Sequence, residues 1–242
     1  MEWIDDGFVL GARKHGESAV IVTLLTREHG RHAGLVRGGA GARARGVWQP
    51  GNLLRVTWRA RLAEHLGNFT AELLRSHAAG LLDERLPLLA LSSATALVEA
   101  ALPEREPHPA LFEGLAGLLA ALPHPGWAAA YVRWELALLT ELGFGLDLGS
   151  CAATGAAEGL TYVSPRSGRA VSAAAGEAWR DRLLPLPGFL TQGPSQETTA
   201  NTIADGLRLT GYFLARHALG PDARALPPAR ARLADALAEV AG

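Results

Sequence analysis

At Leu81 the spacing of apolar side chains changes, and any fold for this chain must accommodate both patterns in that order. Before it, apolar and polar residues alternate in short runs, the period of a strand with one buried face. After it they recur at three and four, the period of an amphipathic helix. Runs of strands followed by runs of helices point to an α+β chain of two domains, not to alternating βα units. The boundary that the change of period predicts divides residues 1–80 from 81–242.

The first part reads as five strands. Gly7 to Arg13 carries Phe8 and Leu10 on one face, and Lys14-His15-Gly16-Glu17 turns the chain. Ser18 to Thr26 is rich in β-branched residues and apolar on both faces, as a central strand is. Arg31 to Val36 returns after the turn Arg27 to Gly30. Leu53 to Arg61 follows a glycine-rich segment, and Gly67 to Arg75 is the fifth run, with Phe69, Ala71 and Leu73 alternating. Five short strands joined by turns predict a small closed barrel, because closure removes exposed edges. A five-stranded OB-fold fits best, and an SH3-like barrel is the competitor.

Three helical stripes follow: Leu88, Leu91, Thr95, Val98 and Leu102; then Leu111, Leu115, Leu118 and Leu122; then Trp127, Tyr131, Trp134 and Leu138. Prolines at 103, 107, 109, 123 and 125 separate them. Residues 148–187 are rich in small side chains and read as irregular. Ser195 is the expected N-cap of a longer helix, with Glu197 favouring its start, Ile203, Leu207, Thr210 and Leu214 inward, and Gly220-Pro221 ending it. A last amphipathic segment runs from Pro228 to Val240.

Charge divides the chain at the same place. Residues 1–80 hold eleven Lys or Arg against seven Asp or Glu, whereas residues 81–242 hold twelve against seventeen. The basic part is the expected nucleic-acid binder. Most of its excess lies in Val36 to Leu62, where Arg37, Arg43, Arg45, Arg55, Arg59 and Arg61 meet no acidic residue. The stretch is expected to begin as a mobile glycine-rich loop. It then continues as a strand with Leu54, Val56 and Trp58 facing a core and Arg55, Thr57, Arg59 and Arg61 facing out. Trp58 is read as core. Trp48 is read as an anchor for the loop in preference to a base-stacking platform. Asp5 and Asp6 have no identifiable partner and are expected on the solvated surface.

Patterns for catalysis are missing: there is no GxxxxGK[ST], no G-x-S-x-G and no HExxH. His29 and His32 are not read as a metal pair. The expectation is a non-enzyme without cofactors. Cys151 is the only cysteine, which fits a reducing compartment. No apolar run approaches a membrane span and the N-terminus lacks a signal-peptide pattern, so the expected setting is the cytoplasm. Cys151 and Thr154, then Ser172 and Ala175, stand at the C-x2-C … C-x2-C spacing of a zinc ribbon. Strands Leu160–Val163 and Arg169–Ser172 lie between them. Three of four thiolates are absent, so the hairpin, at about residues 148–176, is expected to be metal-free and held by packing of Leu160, Tyr162 and Val171.

Several stretches together resemble the RecO family of bacterial recombination mediators. They are GFVLGARKHGESAVIVTLLTREHG, the basic segment running into Trp48-Gln49-Pro50, the helix YVRWELALLTELGFGLDL leading to Cys151, and TYVSPRSGRAVS. The resemblance implies an N-terminal OB-fold and a C-terminal helical domain. Many members carry a four-cysteine zinc site at this hairpin, and this chain departs from that pattern. The resemblance further implies binding of single- and double-stranded DNA and annealing of complementary strands. It also implies loading of the RecA recombinase, with the partner RecR, onto DNA coated by single-strand-binding protein (SSB), at the nucleoid. Arg13, Lys14, Arg37, Arg43, Arg45, Arg55, Arg59 and Arg61 are then the expected phosphate contacts. Arg133, set among Trp127, Tyr131 and Trp134, is the expected cation beside an apolar groove for the SSB C-terminal tail, with Trp134 as its apolar neighbour. Arg166 and Arg169 are further basic candidates. A protein-interaction adaptor and an RNA-binding OB-fold are the alternative readings.

Overall fold

A computed structural model of the chain describes residues 1–191, 198–219 and 225–241, without the side chain of Arg43. Strands β1 (Glu2–His15), β2 (Ala19–Thr26), β3 (Gly30–Val36), β4 (Leu53–Arg59) and β5 (Asn68–Arg75) close into a barrel of order β1-β2-β3-β5-β4. β4 pairs back onto β1, and β3 meets β5 in parallel at Leu35 and Asn68. This is the OB-fold.

β1 is longer than its alternation predicts, for a reason that lies in β4. Glu2 to Phe8 pair with Arg59 to Leu53, which turns the acidic N-terminus into strand. The register on β2 then shifts between Val9 and Gly11, a bulge that lets one strand bend and serve both walls of the barrel. Leu54, Val56 and Trp58 point inward as expected and pack with Val9, Val22, Leu24 and Phe69. β4 stops at Arg59, two residues short of the expected Arg61, where the chain turns away. At the far side of that turn Gly67 has φ +65°, and a Cβ there would lie 2.3 Å from Trp58 Nε1. Only glycine leaves room for the indole, whose N–H donates to Leu66 O at 3.0 Å.

The expectation of a mobile loop over residues 37–51 is corrected. The segment contains helix α1 (Ala42–Val47), whose C-cap is Trp48, buried against the barrel core. Six residues do not hold a helix by themselves. Tertiary bonds do it: Ala40 N–H donates to Ser18 O at 3.0 Å, and Asn52 Nδ2 donates to Gly46 O and Val47 O at 2.9 and 3.0 Å. Burial of the Trp48 indole fixes the far end, as its anchoring role requires.

The compact unit that contains the barrel runs on to Pro123 and includes α2 (Arg85–Ala101) and α3 (Pro109–Ala121). Arg31 Nε donates to Leu102 O at 2.7 Å, Phe8 meets Phe112 with ring centres 5.0 Å apart, and Arg27 pairs with Glu113. Leu91, Val98 and Leu102, and then Leu111, Leu115, Leu118 and Leu122, are buried as their spacing predicts.

A second unit takes in residues from His124 onward, apart from residues 227–230. It holds α4 (Trp127–Glu141), a small sheet of β6 (Leu160–Val163), β7 (Ala170–Ser172) and β8 (Leu184–Pro185), the single turn α5 (Ala173–Gly176), and α6 (Ala200–Phe213). Most of α7 (Pro228–Ala241) also belongs to it. Tyr131 and Thr210 both donate to the buried Glu135 carboxylate, joining α4 to α6. Ile203, Leu207, Thr210 and Leu214 face inward. The described cap of α6 is Thr199, in a capping box with Thr202. Ser195, Glu197 and Gly220-Pro221 lie outside the described residues. Among those described, no helix is long and apolar enough to cross a membrane.

Candidate nucleic-acid interface

Of the eight cations singled out in the barrel, the seven with described side chains do not form one surface. Arg55 and Arg59 project from β4 as alternation predicts, but the register sets acids beside them. Asp6 and Glu72 flank Arg55 across the two neighbouring strands, and Glu2 stands opposite Arg59. Arg55 grips Asp6 with two bonds, Nε to Oδ1 at 2.9 Å and Nη2 to Oδ2 at 3.2 Å. Arg59 Nη2 donates to Glu2 Oε1 at 2.7 Å. The bond from Arg59 holds the Glu2 carboxyl below the usual carboxylate range, and the same pairings raise both guanidinium groups. Two cations against three carboxylates leave this face slightly negative. Ile4, Thr57 and Thr70 run between them.

The acidic N-terminus therefore corrects the expectation of unpartnered surface acids. Asp6 neutralises Arg55. Asp5 is buried and accepts N–H bonds from Asp6 and Glu28, both at 2.8 Å, with His29 Nδ1 at 3.0 Å from its Oδ2. A clue lay in Glu2, Ile4 and Asp6, which share a face by alternation. Using it requires knowing that β1 lies beside β4.

Arg13, Lys14, Arg37 and Arg45 gather at the opposite end of β1, whereas Arg61 follows β4 near the start of β1. Lys14 and Arg45 line a groove of about 440 Å³ with Ala12, Glu17, Val20 and Trp48. Lys14 is the penultimate residue of β1, opposite Val20, and Arg45 lies on α1, where its Nε donates to Ala40 O at 3.0 Å. Arg13 stands on the other face of β1, and Arg37 follows the end of β3. Arg13, Lys14, Arg37, Arg45 and Arg61 are exposed, and none has a carboxylate partner among the described residues. The Arg43 side chain lies outside the described set. α1 is thus an armature for basic groups, which loop composition alone did not reveal.

In the second unit Arg133 is exposed, donates from Nη2 to Phe189 O at 3.0 Å, and lies 5.4 Å from the centre of the Phe189 ring. Trp134 is buried, and its Nε1 has no hydrogen-bond partner among the described residues. Arg169 pairs with Asp147 at 3.1 Å, and Arg166 is exposed.

The ribbon-like hairpin has the two expected strands, the second beginning at Ala170 and not Arg169, and its packing differs from the expectation. Leu160 and Tyr162, on either side of a register shift, are only half-buried, Val171 is buried, and Val163 and Ala170 are the fully buried residues. Cys151 Sγ lies 3.5 Å from Ser172 Oγ and accepts Ser172 N–H at 3.3 Å. Hydrogen bonds from the Ser172 and Thr154 side chains and the Ser172 backbone lower its thiol to about 6. One thiolate ringed by hydroxyls does not fit a structural zinc, which needs four protein ligands. Among the described residues, no cluster of three His, Cys, Asp or Glu is arranged to hold a metal ion.

Residues 1–77 match the family described as "Recombination protein O N terminal", and residues 84–226 match "Recombination protein O C terminal". A protein of Rhodospirillum centenum named DNA repair protein RecO is 56% identical, over 97% of this chain and 94% of its own length. A protein of the same name from Rhodospirillum rubrum is 51% identical over 98% and 96%. Another from Methylorubrum extorquens is 54% identical over 96% of each.

Proposed function

The chain belongs to the RecO family, and on that premise we propose that it is a DNA-repair protein that binds DNA strands, anneals them and acts without catalysis of its own. The observation that carries the reading is the unpaired basic cluster of Lys14, Arg45, Arg13 and Arg37 at one end of an OB barrel. Such a cluster neutralises phosphates with little sequence preference. Annealing needs no bond to be made or broken. Its barrier is the repulsion between two polyanions, and a cationic surface that holds one strand lowers the cost of bringing the second alongside. Arg55 and Arg59, tied to Asp6 and Glu2, are not phosphate contacts in this reading, and Arg61 lies with the turn that follows β4.

Phosphate attraction does not distinguish bare DNA from DNA covered by SSB. We assign that task to the second unit, with Arg133 as the cation that meets the acidic C-terminal tail of SSB. Its bond to Phe189 O orients the guanidinium of a residue that is exposed. Trp134, the next residue of α4, is buried and so is not offered to the tail as its expected apolar neighbour. With RecR, the assembly would load RecA onto the strand it uncovers, which sets the work of the protein at the nucleoid. Titration of a fluorescent single strand with the purified chain, without nucleotide triphosphate, tests the DNA-binding core of this reading. Binding that weakens steeply with salt is expected; no binding at 50 mM salt would overturn it.

A further inference from the structure

A second groove on the barrel, of about 530 Å³, lies where β1 begins and is lined by Trp3, His29, His32, Trp58, Glu28 and Arg105, among others. Its rings form a ladder. Trp58, from the core, stacks on Trp3 at 5.6 Å, and Trp3 stacks on His29 at 4.1 Å with only 9° between the planes. His32 closes the side, edge-on to Trp3 at 5.2 Å. The ladder ends at His29, whose side chain is 34% exposed and whose outer face carries no further ring among the described residues. Asp5, buried beneath, holds the imidazole in that plane through Nδ1.

The wall of the groove is also fixed. Arg105 has φ +64°, an unusual conformation for a residue with a Cβ, stabilised by donation of its N–H to Arg31 O at 2.8 Å. From there its guanidinium donates to the carbonyls of Ala63, Glu64 and His65 at 2.7, 3.2 and 3.1 Å. Those carbonyls belong to the β4–β5 turn, one of the two loops through which OB-folds hold oligonucleotides.

The rings, more than the charges, select the occupant. Glu2 is paired with Arg59, while the Arg105 guanidinium and the Met1 ammonium are bonded to carbonyls, Met1 to Ala60 O at 2.7 Å, and keep their charge. Burial lowers the His32 pKa, which keeps that ring neutral near pH 7. The Glu28 carboxylate, without an ion-pair partner among the described residues, repels phosphate and can accept a base N–H. A ladder of stacked rings that ends on one partly exposed ring suits the flat face of a base.

We propose that this groove is a stacking subsite for one unpaired nucleobase, with His29 as the platform, Trp3 behind it and Arg105 positioning the wall. The proposal rests on the DNA-binding reading above. β1 joins the two sites: Trp3 and Lys14 are eleven residues apart, no more than about 36 Å along a strand, within reach of one single strand on one OB barrel.

The experiment compares two fluorescent 16-nucleotide strands, one with bases and one abasic throughout, against the full chain. Wild type should bind the base-bearing strand more tightly, by about 5- to 150-fold for a stacked base. His29→Ala should weaken that strand alone and narrow the gap, while His29→Phe, which keeps a ring and loses the Asp5 contact, should restore it. Lys14→Ala with Arg45→Ala should instead weaken both strands alike. A gap that survives His29→Ala intact overturns the subsite and leaves the DNA-binding reading standing; failure of wild type to bind either strand overturns both. Equal affinity for the two strands, with the Trp fluorescence answering to an arginine-rich peptide instead, would give the groove to a protein partner and also overturn the proposal.

Discussion

Removing the two ion pairs on the β1–β4 face should leave the salt dependence of DNA binding almost untouched. The perturbation replaces Glu2, Asp6, Arg55 and Arg59 together with Gln, Asn, Gln and Gln. Two cations and two carboxylates disappear, so the net charge of the face does not change. Arg55, Arg59 and Glu2 are exposed and Asp6 is half-buried, and such solvent-accessible pairs contribute little to stability, so the barrel should still fold, as circular dichroism will verify. On a single strand each phosphate contact adds about 0.7 to the slope of log affinity against log salt. If Arg55 and Arg59 were phosphate contacts, the slope would fall by about 1.4. Because each guanidinium already has a carboxylate within 2.9 Å, the account predicts a change near zero. Lys14→Ala with Arg45→Ala, which removes unpaired charge, should lower the slope by about 1.4 instead. Anisotropy of a labelled single strand between 50 and 200 mM salt separates the outcomes. A loss of 1.4 in the four-residue variant, with none at Lys14 and Arg45, would refute the charge argument.

Three further outcomes follow from the same structure. Absorbance of thiolate at 240 nm, taken as wild type minus Cys151→Ser, should titrate with a midpoint near 6, and a midpoint near the ordinary 8.5 would mean that Ser172 and Thr154 do not bond the sulfur. Burial depresses the pKa of His32 and His77, so the unfolded chain takes up protons that the folded one refuses. Their contribution is fully present above about pH 6.5 and is lost as pH falls below it, by up to about 1.4 kcal/mol per pH unit for each proton; urea midpoints at pH 7 and pH 5.5, with His32→Gln as the control, measure it. Gly67→Ala forces a Cβ into the Trp58 indole at a left-handed position, and should destabilise the barrel by more than about 1 kcal/mol, read as a lower urea midpoint.

Much of the architecture was legible because periodicity is a local signal. The inward set of β4, the helical stripes and the two strands of the ribbon-like hairpin all follow from spacing alone, and the structure has them. What was not legible depends on neighbours that are remote in sequence. Arg55 looks free until β1 is laid beside β4 in a register that places Asp6 opposite it, 49 residues away. Residues 37–51 look mobile by composition, since glycine and arginine give no stripe. The burial of Trp48 and the bonds from Asn52 to α1 are tertiary facts. Trp3, His29 and Trp58 come from three different elements, and nothing in their spacing announces a stack. Arg105 is more hidden still: a lone arginine in a proline-rich connector, whose role rests on its backbone conformation and on three carbonyls 40 to 42 residues away.

The most direct test of the account is the rate at which complementary strands coated with SSB anneal, with no protein, with wild type, and with Lys14→Ala/Arg45→Ala. Wild type should accelerate annealing without nucleotide triphosphate, and the double variant should lose most of that acceleration while remaining folded. Acceleration undiminished in the double variant would contradict the central claim that the unpaired basic end of the barrel holds the DNA.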